Sequence, residues 1–230
     1  MKFPWSRAGS STGLSGQPDA AAGGEAVQKC PGLGKVLEKI GRIDKPEVLD
    51  LGPFCGDTAV YFGERGARIS VAELEPPPPP PPPAERDPDD LAARTSEPPA
   101  VPPIRLAFDD SRFDLVLVWE MCDFLPPDRV GEFGAELHRV MADGGTALLM
   151  SASDPPKDGP HADRAPRYRV VDEGHVERQA GSGPRRRRYG HNPRALERAL
   201  APLGVASIHL QRNQLREFIF QKKRAVGPKR

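Results

Sequence analysis

The sequence predicts an α/β domain on a doubly wound mixed sheet, mostly parallel and closed by a terminal antiparallel strand. Three observations carry this. Residues 47–75 read as strand, glycine turn, helix and strand. The apolar run 113–119 is followed at the right distance by a helix and a further strand, and two short strands close the chain. A strand-helix-strand unit of this length is a right-handed crossover, so its strands lie parallel in one sheet.

Composition fits one such domain with tails. The chain has 230 residues, enough for a sizeable core, and its 28 prolines and 23 glycines cluster outside the periodic segments. A net charge of +1 gives no global field toward nucleic acid or a membrane. Cys30, Cys55 and Cys122 are dispersed, with neither disulfide-framework nor metal spacing, and no metal site is expected. There is no apolar run of about 18 residues, and the first seven residues do not lead into a signal-peptide core. A soluble, cytoplasmic chain is expected.

Residues 1–30 are rich in Gly, Ser, Ala and Gln and read as a disordered tail, as do 224–230. The domain spans 31–223. It opens with a helix over 31–43 that places Leu33, Val36, Leu37, Ile40 and Ile43 on one face. Residues 48–51 form the first strand, Gly52 and Pro53 end it, and a helix follows from Asp57 to Gly63. Residues 68–72 alternate as the second strand toward Glu73.

Eight prolines, 76–83, form a polyproline II rod roughly 25 Å long at about 3.1 Å per residue. We read 76–103 as a proline-rich insertion in a surface connection, with docking to a proline-binding module as the alternative. A helix stub is expected over 87–94, and 104–108 is the only candidate for a third strand. The run 113–119 is a central strand buried on both faces. A helix over 127–142 follows, with Asp143, Gly144 and Gly145 as its stop and a strand over 146–151. Residues 154–190 depart from the same sheet edge and are expected to form a substrate-facing cover, with a hairpin over 168–179 turning at 172–174. A helix from Asn192 to about Leu203 and strands over 205–210 and 217–221 complete the domain.

Gly52 and Gly56 leave the first turn without side chains, so a ligand can approach the backbone and the helix amino terminus behind it. Glu73 lies about 20 residues downstream, where a carboxylate can hold both hydroxyls of a ribose. The turn lacks the G-x-G-x-x-G of a nicotinamide dinucleotide site. It resembles motif I of the class I S-adenosylmethionine-dependent methyltransferases, D/E-x-G-x-G-x-G: Asp50, Gly52 and Gly56 match, and Phe54 stands at the middle glycine. The later strand, helix ending HRVMADGG and strand TALLMSAS are similar to the fourth and fifth strand region of that fold, and the resemblance covers about 31–223.

The resemblance implies a Rossmann-like, seven-stranded sheet, S-adenosylmethionine as cofactor and methyl transfer to an unidentified, small-molecule acceptor. It implies a cofactor site of Asp50, Gly52, Pro53, Phe54, Gly56, Glu73, Leu74 and Trp119. Glu120 and Asp123, just past the fourth strand, and His175 and His191, in and just past the cover, are candidates to orient or deprotonate the acceptor. Arg185–Arg188 would favour an anionic acceptor if they face inward; RNA is the weaker reading. Two other classes remain: an inactive binding or scaffold protein, suggested by Phe54 and the irregular third strand, and a nucleotide-dependent oxidoreductase.

Overall fold

The computed structural model describes residues 26–74, 102–152, 162–211 and 215–224. The expectations for 1–25, the proline rod, the helix stub at 87–94, most of the loop from 154 and the last six residues lie outside these segments.

Helix α1 (Pro31–Ile40) starts on proline and buries Leu33, Val36, Leu37 and Ile40, the face that the spacing picks out. Strand β2 (Glu47–Asp50), helix α2 (Gly56–Gly63) and strand β3 (Arg68–Val71) form the crossover, with β2 and β3 parallel. Strand β4 (Phe113–Val118) lies parallel to β2 on its other side. A 3-10 turn over Glu120–Phe124 leads into α3 (Val130–Val140) and then β5 (Met141–Ala152), parallel to β4. Helix α4 (Pro193–Ala199) is capped by the Asn192 side chain, which accepts from the Arg194 N–H. Strands β10 (Gly204–Leu210) and β11 (Leu215–Gln221) are antiparallel, and β11 also pairs antiparallel with β5. The sheet order is β10-β11-β5-β4-β2-β3.

The central strands are apolar because both faces are covered, and alternate residues serve opposite layers. Val116, Val118, Leu149 and Phe218 pack with Phe133, Leu137 and Val140 of α3 and Leu196 of α4. Leu115, Leu117, Leu148 and Ile219 pack with Leu33 and Leu37 of α1 and Phe62 of α2.

A second, three-stranded sheet, in the order β1-β8-β7, consists of β1 (Ala26–Lys29), β7 (Arg167–Asp172) and β8 (His175–Gln179). Its Tyr168, Val170 and Val176 join the core layer of α1 and α2. Strands β6 (Ala162–Asp163) and β9 (Arg186–Arg187) pair as a two-stranded ribbon.

Three boundaries differ from expectation. The segment expected as a disordered tail to residue 30 ends in β1, held by its ladder to β8 and by the Cys30 N–H donating to the Gly174 carbonyl at 2.6 Å. At the far end Arg224, placed in the other tail, packs beside Gly144. The third strand does not form, so the described sheet has six strands rather than seven. Side chains of α3 replace its ladder: Glu132 and Glu136 accept from the Ile104 and Leu106 N–H groups, and Arg139 donates to the Leu106 and Phe108 carbonyls. Finally, α3 ends at Val140 and residues 143–145 lie inside β5 instead of stopping a helix. Gly144 adopts φ +81°, and the ladder between β4 and β5 shifts register beside it.

Candidate functional site

The strand order reverses between β2 and β4. β3 follows β2 outward on one side, whereas β4 and β5 build the other, which makes the crevice at the carboxyl ends of β2 and β4 the switch point where open α/β sheets bind ligands. Asp50 ends β2 there and is buried. The Trp119 indole N–H, from the end of β4, donates to Asp50 Oδ1 at 2.6 Å. The indole lies over Gly52: a Cβ on that glycine would stand 2.7 Å from Trp119 Cδ1, so a larger residue would force the indole to shift. Burial pushes the Asp50 carboxyl up to about 7, with the Trp119 hydrogen bond pulling the other way.

Past Gly52, Pro53 is half-buried and Phe54 is 62% exposed beside the start of α2. Gly56 is the first residue of α2, whose free amino-terminal amides face this loop. Glu73 is exposed two residues beyond β3, and the neighbouring Leu74 packs against the core. Parallel pairing of β3, β2 and β4 thus puts Asp50, Gly52, Pro53, Phe54, Gly56, Glu73, Leu74 and Trp119 along one rim of the sheet.

Glu120 and Asp123 are not loop acids open to an acceptor; both are buried in the 3-10 turn. Glu120 accepts from the Tyr168 hydroxyl at 2.6 Å, from Arg178 Nε at 2.6 Å and from Arg188. Burial alone would raise its pKa, but the Arg178 hydrogen bond and the charges of Arg188 and Arg178 outweigh it and hold the carboxyl below its ordinary value. Asp123 accepts from Ser151 Oγ at 2.6 Å, the Ala152 N–H at 2.9 Å and Arg188 at 2.9 Å. Its pKa is raised by burial, against the Arg188 charge. Every one of these partners is the chain's own, so the pair acts as a clamp. Neither carboxylate is presented to a substrate.

The clamp fastens the β7–β8 hairpin to the rim. Tyr168 stacks on Trp119 with ring centroids 4.6 Å apart and planes 10° from parallel. The Tyr168 carbonyl accepts from Thr58 Oγ1 of α2, which itself accepts from the Val170 N–H, both at 3.0 Å. Beyond the hairpin, the Tyr189 N–H donates to the Asp123 carbonyl at 2.6 Å. Sequence reasoning missed Tyr168 and Arg178, which are cross-strand partners in register. Folding 168–179 about Glu173 pairs them, and that symmetry was the available signal.

The two histidine candidates stand apart from this rim chemistry. His175 pairs with Asp172 at 2.8 Å at the hairpin turn. His191 is buried, its Nε2–H directed at the carbonyls of Cys122 and Leu125, so it braces the 3-10 turn. Four arginines of the cover have partners within the chain: Arg188 pairs with Glu120 and Asp123, Arg178 with Glu120 and Arg169 with Glu177, and Arg167 donates to Gln179. Among the described residues no group of His, Cys, Asp or Glu has the geometry to hold a metal ion, and no helix is long and apolar enough to cross a membrane.

A switch-point crevice with a glycine turn and a helix amino terminus defines the class: a doubly wound α/β domain. The particular fold is that of the class I S-adenosylmethionine-dependent methyltransferases. It matches the Burkholderia thailandensis 1,6-didemethyltoxoflavin-N1-methyltransferase, solved with 1,6-didemethyltoxoflavin and S-adenosylhomocysteine, over 84% of this chain and 77% of that one at 22% identity and TM-score 0.50. It matches an S-adenosylmethionine-dependent methyltransferase from Clostridium acetobutylicum over 83% and 91% of the two chains, at 9% identity and TM-score 0.50. No family model and no curated protein sequence matches the chain.

Proposed function

We propose that the chain is an S-adenosylmethionine-dependent methyltransferase acting on a small-molecule acceptor. The observation that carries this is the meeting of Asp50, Gly52 and the α2 amino terminus at the switch point, with Glu73 on the next strand's tip. Three features suit the cofactor: Gly52 adds no side chain of its own to the crevice, the α2 amides suit its carboxylate, and Glu73 suits its ribose hydroxyls. Bound there, S-adenosylmethionine supplies an electrophilic methyl on a sulfonium and leaves as S-adenosylhomocysteine. The protein's share is then to position the acceptor in line and exclude water, which asks for no dedicated nucleophile. The clamped hairpin is suited to that exclusion. The solved Burkholderia enzyme is a 1,6-didemethyltoxoflavin-N1-methyltransferase, and a small molecule is the acceptor class proposed here.

Calorimetry with S-adenosylmethionine, S-adenosylhomocysteine and NAD tests the reading. Micromolar binding of the first two and none of NAD is expected. Glu73→Gln should weaken S-adenosylhomocysteine by about ten- to a hundred-fold, the loss of a charged acceptor for two hydroxyls. Undiminished affinity in that variant would remove Glu73 from the site. A second reading, a binding or scaffold protein on the same fold, is favoured by one observation: Trp119 packs on the very glycine that would admit the cofactor. Silence from all three ligands would select it.

A further inference from the structure

We propose that Trp119 is a gate over the Gly52 cradle, held shut by the β7–β8 hairpin, so that the cofactor enters only after the indole swings off the glycine. The inference rests on the cofactor reading above and names how that site is controlled.

Three contacts hold the indole: the bond to Asp50, the stack on Tyr168 and the close packing on Gly52. Any group approaching the Gly52 backbone meets the indole first, and any ligand donor reaching for Asp50 Oδ1 competes with the indole N–H. Tyr168 in turn is fixed by its hydroxyl to Glu120, and Glu120 by Arg178 of the same hairpin and Arg188 beyond it. The indole, the hairpin and the acids of the rim therefore share one set of bonds.

The hairpin and β1 form one unit, joined by the β1–β8 ladder. They belong to the β1-β8-β7 sheet, which among the described residues has no backbone ladder to the six-stranded sheet. Its attachments at the rim are side-chain bonds, the Thr58 bridge and apolar packing. An element fastened in this way opens without breaking the central sheet. Opening exposes Gly52 and Asp50 together, and a bound ligand then takes the place of the lost indole contacts.

The chain has two tryptophans, Trp5 and Trp119, so a Trp5→Phe background makes Trp119 the only indole reporter. S-Adenosylhomocysteine is mixed rapidly with this protein while fluorescence is followed, and binding is measured in parallel by calorimetry. A signal change as the indole unstacks is expected, with an observed rate that levels off at high ligand because opening limits it. Tyr168→Phe keeps the ring stack and loses the bond to Glu120; Arg178→Gln loosens the same latch at a half-exposed residue if the first variant folds poorly. Either should raise the plateau rate by roughly tenfold and tighten the apparent affinity, since the closed state no longer holds the same advantage. Binding by calorimetry with an unchanged Trp119 signal and a rate rising linearly with ligand, alike in parent and variants, would overturn the gate and leave the cofactor site standing. Binding in Trp119→Ala alone would support a gate that stays shut in the parent. No binding in any of these proteins, Trp119→Ala included, would overturn the cofactor reading and the gate with it.

Discussion

Asp50 shows how one residue couples the site to the stability of the fold. Its carboxyl has an ordinary pKa of 3.8 and is pushed up to about 7 by burial. Between those values the folded chain keeps a proton that the unfolded chain has lost. This acid's contribution is therefore fully present below the lower value, declines as pH rises, and levels off above the upper one. Asp50→Asn should lack that decline. Chemical denaturation from about pH 5 to 7 should show the unfolding free energy of wild type falling relative to the variant, at up to about 1.4 kcal/mol per pH unit. A difference that stays constant across the range would show that Asp50 is ionised throughout. At this scale the sequence discloses Gly52 as a bare turn position, because a glycine after a short apolar run has few other uses. It does not disclose what covers that glycine, since the indole that bonds to Asp50 comes from 69 residues further along the chain. Glu120 misleads for a related reason: an acid just past a strand looks exposed until the hairpin that buries it is in place.

Among the elements, the β7–β8 hairpin depends most on a few side chains. Arg188 lies against two buried carboxylates, Glu120 and Asp123, and its own side chain is 11% exposed. Arg188→Met fills much of the same space while leaving both acids short of a partner, so a loss of about 3–5 kcal/mol in unfolding free energy is expected. Hydrogen exchange should locate the damage, with protection over 167–179 falling more than protection in β4 and β5. Uniform loss would mean that the hairpin is not an independent unit. The hairpin itself is legible in the sequence, because alternation on both sides of Asp172, Glu173 and Gly174 pairs the strands. The third strand is not. Residues 104–108 are apolar enough for a strand, and only the placement of Glu132, Glu136 and Arg139 on one side of α3 draws their backbone groups away from a ladder. The stop expected at residues 143–145 fails similarly: Gly144 bends a strand that β11 continues to hold through the bonds between Lys222 and its neighbours Gly144 and Gly145.

For the whole molecule, the order of the sheet follows from the crossover rule and the burial of the central strands, and both are visible in the residue pattern. The proline segment is the largest departure from that pattern. The described residues stop at Leu74 and resume at Pro102, whose carbonyl accepts from Arg129. Eight prolines supply no ladder donors, and changing the length of a surface connection alters closure entropy only slowly. Replacing 76–83 with a short Gly/Ser linker should leave the melting temperature nearly unchanged; a fall of many degrees would mean that the rod packs on the domain. The position of β11 bears on how the chain is born. It is the last strand among the described residues, yet it lies inside the sheet, between β10 and β5. During synthesis from the amino terminus, the β5 ladder edge from Thr146 to Ala152 stays bare until residues 215–221 have left the ribosome. Every nascent chain therefore passes through a stage in which β5 offers an unpaired edge to other chains, a hazard that β11 removes.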